Sequence, residues 1–470
     1  MSATPVIAPT TGLDALLDDV RADASHIEVL RPSVETAAFA FDAGTAPRRA
    51  SAGDGPAVAF PASPAEVQQL VRLAARHGVS IVPRGAGTGL SGGATASADQ
   101  LVISTARLDR IVEVSPADEV AVVEPGVLNA ALNERLEPLG LFYAPDPASW
   151  RISTIGGNIA TNAGGLRCAK YGVTRESVLA LDVVLADGSL VSVGHRSIKG
   201  VTGLDLVSLF VGSEGVLGIV VGATVRIRPL PVARRTVTAF FSSTGAWAAA
   251  IGAITASRVS PSVIEFLDQP TLEGIDAAQG SGLRDRGTAL LLIELDGFGI
   301  DEQTAELTAA LTAAGATVRV ENDADAETLW ELRRSGRRFD DDHWFAGGDV
   351  AVPKSRIAEI FAGFPAIADR HGVSVSAVAH AGDGNLHPVI TLRVPPGADP
   401  SLPPAAVHDA ADDVVRAALA VGGTVSGEHG IGTVKRDLAA EELAVRVREA
   451  QLALKNALDP AGLFNPGKAL

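Results

Sequence analysis

Four side chains in the last quarter of the sequence have the types and spacing of a metal site. His380 and His387 flank a Gly-Asp-Gly-Asn turn in HAGDGNLHP, and Glu428 and His429 lie between glycines in GGTVSGEHGIG. On a straight strand a spacing of seven would point the two histidines to opposite faces, but the glycines let the chain fold back and bring both imidazoles together. Two neutral imidazoles and one carboxylate form a common site for Zn²⁺ or Mn²⁺ that leaves positions open for substrate oxygens. We therefore predict that His380, His387 and Glu428 bind a divalent metal; the alternative is a pair of core histidines that only donate hydrogen bonds.

Two glycine-rich segments in the first half of the chain have the composition of an anion cradle. The first, PRGAGTGLSGGA, covers residues 83–94, and the second, SWRISTIGGNIATNAGG, covers residues 149–165. Glycine lets backbone N–H groups surround a phosphate without obstruction by Cβ atoms. Neither segment has the Walker pattern or the dinucleotide fingerprint that opens a helix. Together they could bind one dinucleotide. The alternative is that the glycines are needed only where strands cross at close distance.

Helix and strand signals around these segments indicate an ordered first domain. Ser63 and Glu66 form a capping box and Gly78 is a stop signal, so the pattern predicts a helix between them, followed by a buried strand at residues 79–82. Alternating apolar residues on either side of Asp187-Gly188 predict a β-hairpin.

The pattern changes near residue 230, where a strand predicted at residues 216–228 ends at two prolines. Between residues 234 and 400 we predict strands in TVTAFF, ALLLIELDG, ATVRVEN and SVSAVAHAG, separated by alanine-rich helices, which indicates an α+β domain on an antiparallel sheet. ELAVRVREAQLALKNALDP predicts an amphipathic helix before the tail LFNPGKAL. We expect a first domain at 1–231 with its core at 56–231, a second domain at 232–420, and a C-terminal segment at 421–470.

Composition limits the function classes. A formal net charge of -16 repels nucleic acid and anionic lipid, so an anionic substrate needs a local cluster of cations. The single cysteine, Cys168, excludes an intrachain disulfide and a thiolate-rich metal site. No stretch has the ~20 uninterrupted apolar residues of a membrane-spanning helix. We expect a cytoplasmic protein, with peripheral association at the inner face of the membrane as the alternative.

The ordered set of motifs resembles one family over nearly the whole chain. PRGAGTGLSGG, DPASWRISTIGGNIATNAGG, KYGVTRESVLALDVVLADG, GSEGVLGIV, HAGDGNLHP, GEHGIGTVKR and FNPGK are similar to the vanillyl-alcohol oxidase and p-cresol methylhydroxylase (PCMH) superfamily. The resemblance is to the branch of glycolate oxidase catalytic subunits, D-lactate dehydrogenases and D-2-hydroxyglutarate dehydrogenases. It implies a PCMH-type FAD-binding domain of two subdomains, a cap domain, and a C-terminal segment that returns to the FAD domain.

The same resemblance implies which residues bind FAD. The pyrophosphate would lie on Arg84, Gly85, Ala86, Gly87, Thr88 and Gly89. The isoalloxazine and ribityl side would be lined by Pro145, Asp146, Ser149, Gly156, Gly157, Asn158, Thr161 and Gly164. Glu214 and Ile219 would lie on the nucleotide side, and Asn465 would return to the flavin. Relatives with covalent FAD use a His or Cys that this first loop lacks, so we expect non-covalent FAD.

In the family, the metal chelates the 2-hydroxyl and carboxylate of the substrate, His429 accepts the hydroxyl proton, and hydride passes to flavin N5. A role of His429 in only orienting a ligand is the alternative. Arg333, three residues after Trp330, would bind the substrate carboxylate, whereas Arg334 fits a solvated helix face.

The chain departs from the D-2-hydroxyglutarate enzymes, which have threonine at Arg337, lysine at Gly347 and asparagine at Val389. These departures favour a small lactate- or glycolate-like acid.

The predicted function is thus FAD-dependent, metal-assisted oxidation of a small D-2-hydroxy acid. The acceptor of the electrons is open among a quinone, a cytochrome, an electron-transfer flavoprotein and oxygen. The alternatives are a D-2-hydroxyglutarate dehydrogenase, a non-catalytic FAD subunit of a larger oxidase complex, an alkyl-dihydroxyacetonephosphate synthase or sugar-lactone oxidase, and a structural metal protein. A homodimer or a subunit of an oxidase complex is the expected assembly.

Overall fold

The computed structural model describes residues 12–46, 55–335 and 342–470. Up to residue 229 its strands are β1 (Glu28–Leu30), β2 (Ala57–Phe60), β3 (Ile81–Arg84), β4 (Leu101–Ser104), β5 (Ile111–Ser115), β6 (Val120–Val123), β7 (Leu141–Phe142), β8 (Val178–Val184), β9 (Leu190–Gly194), β10 (Ile219–Arg226) and β11 (Arg228–Pro229). The helices of this part are α1 (Gly12–Asp23), α2 (Pro64–His77), α3 (Asn129–Leu136), α4 (Ile155–Thr161), α5 (Cys168–Tyr171), α6 (Thr174–Ser177) and α7 (Leu206–Phe210), with 3₁₀ turns at Val34–Ala40 and Glu137–Leu139.

Beyond residue 230 the structure continues with a second set of elements. Its strands are β12 (Arg234–Phe241), β13 (Val263–Leu267), β14 (Ala289–Asp296), β15 (Thr317–Val320), β16 (His343–Gly347), β17 (Val350–Ala351), β18 (Ser374–His380) and β19 (Asn385–Arg393). Its helices are α8 (Thr244–Ala256), α9 (Gln269–Gln279), α10 (Ile300–Ala313), α11 (Asp323–Ser335), α12 (Ile357–His371), α13 (Ala405–Ala420), α14 (Arg436–Glu442) and α15 (Val445–Leu458), with 3₁₀ turns at Arg284–Arg286 and Lys354–Arg356.

Two sheets make up the part of the fold before residue 230. The first has the order β1-β2-β4-β3, in which β2, β4 and β3 run parallel and pack against α1 and α2. The second is antiparallel, with the order β5-β6-β10-β8-β9. The predicted helix is confirmed as α2: the Ser63 hydroxyl accepts the N–H of Glu66, and Gly78 ends the helix at φ 62°. The strand that follows it carries the first glycine segment directly at its end.

The predicted hairpin is also confirmed, because β8 and β9 pair across Asp187 and Gly188, with Gly188 at φ 75°. Two boundaries differ from the prediction. The strand expected at 79–82 occupies Ile81–Arg84, and the one expected at 216–228 begins only at Ile219. The reason for the second is Gly215, whose φ of 70° belongs to a turn before the strand starts.

One antiparallel sheet dominates the part beyond residue 230. Its order is β15-β12-β14-β13-β18-β19-β16, and β17 also pairs with β19. Helices α8, α10, α12 and α13 pack on one face, and α9 and α11 contribute to the apolar cluster on the other. The four predicted strands are present, but β13, β16, β17 and β19 were not predicted. The missed β13, VIEFL, is a nearly continuous apolar run that period-2 reasoning does not detect. The missed β19 does alternate, but it contains Pro388, and a proline argues against a strand in sequence reasoning.

The C-terminal tail returns to the first sheet, as expected. Phe464 pairs with Ile81 in an isolated parallel bridge and is fully buried. Helix α15 forms as predicted; none of its residues is buried, and both Val445 and Leu452 are exposed. The α+β class is confirmed. Among the described residues, we find no helix with the length and apolar character to cross a membrane.

Candidate active site

A cavity of about 450 Å³ lies between the two glycine-rich segments. Residues from both segments line it, and so do Glu428 and His429. The first segment enters from the end of β3, and the second includes the first turns of α4. The cavity therefore joins the predicted cofactor site to the predicted metal site.

Most of the residues that the family resemblance assigned to FAD line this cavity. They are Arg84, Gly85, Ala86, Gly87, Thr88, Gly89, Ser149, Gly156, Gly157, Asn158, Thr161, Gly164, Glu214 and Ile219. Pro145, Asp146 and Asn465 are not among its lining residues. The carbonyl of Pro145 accepts a hydrogen bond from Asn129, and the carboxylate of Asp146 accepts the N–H of Arg167. The Asn465 amide donates to the carbonyl of Glu214 at 2.7 Å, so it helps to hold a residue of the cavity lining in place.

Two observations fit a flavin dinucleotide in this cavity. A Cβ atom at Gly85 would come within 2.4 Å of the Thr154 hydroxyl, so only glycine allows this approach of the two segments. Asn158 Nδ2 and Asp42 Oδ2 are buried polar atoms with no hydrogen-bond partner among the described residues, and both side chains line the cavity. A donor and an acceptor left unpaired in this way match a ligand that offers both phosphate or carbonyl oxygens and hydroxyl or amino groups.

Two buried cations lie beneath the first glycine segment. The Arg84 guanidinium donates to the carbonyls of Phe41 and Ala94 at 2.8 and 3.3 Å, and burial lowers its pKa. The Lys468 ammonium donates to the carbonyls of Gly93 and Thr95, and burial lowers its pKa to about 8. A chain with a net charge of -16 thus concentrates positive charge where a pyrophosphate is expected.

The β18–β19 hairpin brings the two histidines together as predicted. His387 pairs with Val378, which is two residues from His380 on the neighbouring strand, so both imidazoles lie on the same face of the sheet. His380 Nε2 and His387 Nε2 are 3.1 Å apart. Glu428 Oε1 lies 3.6 Å from the first and 3.3 Å from the second.

These three separations fit a shared metal ion. With metal–ligand bonds of about 2.1 Å, the edge of a tetrahedron is about 3.4 Å. The Nδ1 of His380 lies 2.5 Å from Glu265 Oε1, and because a carboxylate can only accept, this nitrogen carries the proton. In the neutral ring, the lone pair of His380 Nε2 then faces the cluster. Gly164 permits the approach of Glu428, since a Cβ there would lie 2.5 Å from Glu428 Oε2.

Arg333 lies close to the cluster but is already paired. Its Nε and Nη2 atoms donate to Glu265 Oε2 at 2.7 and 2.5 Å, and Glu265 is fully buried on β13. Burial opposes the charge of Glu265, but Arg333 and His380 hold the pKa of its carboxyl below the ordinary value. Arg334 is exposed, as expected for a solvated helix face. Arg337 and Arg338 lie outside the described residues.

The loop that carries Glu428 and His429 is held from two sides. The Ser91 hydroxyl donates to the carbonyls of His429 and Gly430, and the Glu214 carboxylate accepts the N–H groups of Ile431 and Gly432. The expected place of Glu214 on the nucleotide side stays a prediction; the residue lines the cavity, and its carboxylate also holds the C-terminal loop.

Hydrogen bonds keep Glu428 ionised, and burial favours the neutral form of His429. Burial disfavours the charge of Glu428, but hydrogen bonds with His380 and His387 hold the pKa of its carboxyl well below the ordinary value. Burial lowers the pKa of the His429 imidazole, whose ring stacks on that of His387 at 5.2 Å between centroids. An ionised carboxylate can bind a cation, and a neutral imidazole can accept a proton.

Sequence reasoning missed several charged residues around the site, among them Glu265, Asp349 and Lys468. The available signals were a glutamate within the apolar run VIEFL, an aspartate after two glycines in FAGGDVAV, and the lysine of the FNPGK tail. All three are less than a tenth exposed. A buried charge without a partner nearby in sequence points to a partner elsewhere in the fold.

Known proteins are similar to this chain in sequence and in fold. The chain matches the model of an FAD binding domain over residues 56–194 and that of the C-terminal domain of FAD linked oxidases over residues 230–469. It is 39% identical over 420 residues to "Glycolate oxidase subunit GlcD" of Bacillus subtilis, covering 88% of each chain. It is 32% identical to the D-lactate dehydrogenase of Archaeoglobus fulgidus, covering 94% of this chain and 97% of the relative. The structure of p-cresol methylhydroxylase with bound substrate superposes with a TM-score of 0.78 at 17% identity, covering 97% of this chain and 96% of that one, which shows the shared fold.

Proposed function

Because this chain belongs to the family of FAD-linked oxidases, we propose that it oxidises a small D-2-hydroxy acid, lactate- or glycolate-like, to the 2-oxo acid. The proposed cofactors are non-covalent FAD and one divalent metal ion, Zn²⁺ or Mn²⁺. The relatives named glycolate oxidase subunit and D-lactate dehydrogenase support this substrate class. The single observation that carries the proposal is the shared cavity: Glu428 and His429 line the same space as both glycine segments.

Non-covalent attachment is supported by the residues around the cavity. Cys168 is not among the described residues that line it, and burial raises the pKa of its thiol, so the nucleophilic thiolate is disfavoured. We propose that the main-chain groups of residues 85–89, together with the charges of Arg84 and Lys468, hold the pyrophosphate. Asn158 and Asp42 would use their unpaired polar atoms toward the cofactor.

The proposed metal ligands are His380, His387 and Glu428. When bound, FAD supplies the hydride acceptor and the metal ion lowers the pKa of a substrate hydroxyl. His429 accepts the hydroxyl proton, since its neutral imidazole lies beside the ligands, with His429 Nε2 4.0 Å from Glu428 Oε1.

Arg333 is the proposed partner of the substrate carboxylate, although part of its guanidinium is already paired with Glu265. Glu265 takes two of the five N–H donors of the guanidinium. The remaining donors must therefore bind the substrate, while the ion pair with Glu265 fixes the side chain. A short acid is proposed because Gly347 and Val389 replace a lysine and an asparagine of the D-2-hydroxyglutarate enzymes; Arg337, the third departure, lies outside the described residues.

The deciding experiment is a screen of D- and L-2-hydroxy acids on the purified, FAD-loaded protein with an artificial dye as electron acceptor, before and after EDTA treatment. We expect turnover with short D-acids that EDTA abolishes and added Mn²⁺ or Zn²⁺ restores, while the visible flavin spectrum persists throughout. Turnover that survives complete metal removal would refute the metal part of the proposal. Absence of turnover with every acid in the presence of metal would refute the substrate class, and would favour a chain that acts only together with further oxidase subunits.

A further inference from the structure

We propose that Asp349 is a positioning residue of this active site, which holds the metal ligand Glu428 and the proton acceptor His429 in place through their main-chain N–H groups. The inference rests on the proposed function, because that proposal gives Glu428 and His429 their tasks. Asp349 itself was not predicted as a site residue, and it is completely buried.

The sheet places Asp349 beside the metal cluster. Strands β16 and β17 both pair with β19, with Gly347 opposite Val389 and Val350 opposite Leu386. Residue 349 in the short turn between them therefore lies level with His387. The turn is tight because Gly348 contacts Pro388, where a Cβ would come within 2.7 Å of the proline ring.

One oxygen of this carboxylate accepts four hydrogen bonds from the loop that carries Glu428. Asp349 Oδ2 accepts the hydroxyl of Ser426 at 2.6 Å and the N–H groups of Gly427, Glu428 and His429 at 2.9, 3.1 and 3.0 Å. Three consecutive amide N–H groups that converge on one anion form a nest, which fixes the direction of the chain. Glu428 and His429 are neighbours on this backbone, so the hydrogen bonds to Asp349 fix the positions from which both side chains extend.

The charge of Asp349 has its own support. The Lys435 ammonium donates to the carbonyls of Asp349 and Val425 at 2.6 and 2.8 Å and lies 3.5 Å from Asp349 Oδ2. A buried carboxylate with a cation and four donors remains ionised and holds those donors with charge-assisted hydrogen bonds. The arrangement explains why a carboxylate, and not a neutral acceptor, occupies a completely buried turn of the sheet.

A second observation connects Asp349 to the imidazoles. An oxygen of its carboxylate, a ring nitrogen of His387 and a ring nitrogen of His429 lie within 4.8 Å of one another, and Asp349 Oδ1 has no hydrogen-bond partner among the described residues. The Asp349 carboxylate thus lies near the imidazoles of His387 and His429 as well as against the loop. Loss of the carboxylate would release the loop and also leave the amides of residues 427–429 without an acceptor.

The first test compares Asp349→Ala with Asp276→Ala. Asp276 is a matched control, because its carboxylate also accepts a serine hydroxyl, that of Ser281, and the main-chain N–H groups of Leu283 and Arg284. Asp276 belongs to neither the cavity lining nor the metal cluster. The affinity of each FAD-loaded, metal-free protein for Mn²⁺ alone is measured by calorimetry. We expect D349A to lose about 10- to 100-fold in Mn²⁺ affinity, and D276A to match the wild type.

Two further variants separate positioning from a merely structural role. Asp349→Asn keeps an oxygen that can accept the three amides, so it should recover most of the Mn²⁺ affinity that D349A loses, and it remains informative if D349A does not fold. Glu428→Gln alone and in combination with D349A forms a double-mutant cycle. If Asp349 acts through Glu428, the double variant loses no more Mn²⁺ affinity than Glu428→Gln alone.

Hydrogen exchange of a peptide that spans residues 426–432 gives a readout without metal. In D349A the amides of residues 427–429 should lose protection, whereas they should keep it in D276A. Wild-type Mn²⁺ affinity in D349A, fully additive losses in the cycle, or unchanged exchange would overturn the inference while the proposed function stands. A wild type that binds no Mn²⁺ would overturn the metal part of the proposed function as well, so the two failures are distinguishable.

Discussion

The contact between Gly164 and Glu428 predicts a specific effect of one added methyl group. In Gly164→Ala the new Cβ would lie 2.5 Å from Glu428 Oε2 and 3.1 Å from Glu428 Cβ, whereas ordinary contacts begin at 3.4 Å. Glu428 Oε2 must therefore move by about 0.9 Å, and Oε1, the oxygen nearest the two imidazoles, moves with it because both belong to one carboxylate. Metal–ligand distances tolerate only about 0.2 Å, so the shift removes Glu428 from the proposed coordination. We expect a loss of about 10- to 100-fold in metal affinity, equivalent to about 1.4–2.7 kcal/mol.

The assay is a Mn²⁺ titration of the FAD-loaded, metal-free protein, with the flavin absorbance recorded in the same samples. Gly274→Ala is the matched control, because a Cβ at Gly274 meets no atom within 4 Å and the residue lies within α9. The control should bind Mn²⁺ like the wild type and melt slightly higher, as is usual for alanine in place of a helical glycine. Wild-type affinity of Gly164→Ala for Mn²⁺, with FAD in place, would refute the reasoning.

Three other predictions follow from the same cluster. His387→Ala should keep the flavin spectrum but fail to bleach with a D-2-hydroxy acid, because one metal ligand is gone; bleaching at the wild-type rate would remove the metal hypothesis. Glu265→Gln should lower Mn²⁺ affinity about tenfold or more, because the charge that orients His380 is lost; calorimetry with unchanged affinity would contradict this role. Burial lowers the pKa of His429 below 6.5, and a base with a lowered pKa stays neutral to lower pH. The profile of kcat/KM should therefore stay level at neutral pH and fall only below pH 6.5, and an acid limb centred above that value would argue against His429 as the proton acceptor.

The parts of the site that could be predicted are those encoded by neighbouring residues. The turn in HAGDGNLHP places His380 and His387 on one face because its own glycines close the hairpin. Glu428 and His429 stand between glycines of one loop. Such local patterns need no knowledge of which strand lies next to which.

The supporting charges could not be predicted because their partners are far away in the sequence. Glu265 contacts His380 across 115 residues, and Asp349 contacts Glu428 across 79 residues. Both contacts depend on the order of strands in the sheet beyond residue 230, and β13 and β16 were themselves missed. Arg333 illustrates the same point: its position near the site was predicted from the family, but its ion pair with Glu265 depends on an unpredicted strand.

The Lys468 ammonium and the carbonyl of Gly93 are 375 residues apart in the sequence, and Phe464 pairs with Ile81 in the same region. Damage to the tail therefore reaches a loop in the first half of the chain. Proteolytic removal of residues 464–470 should weaken FAD binding, although none of these residues lines the cavity.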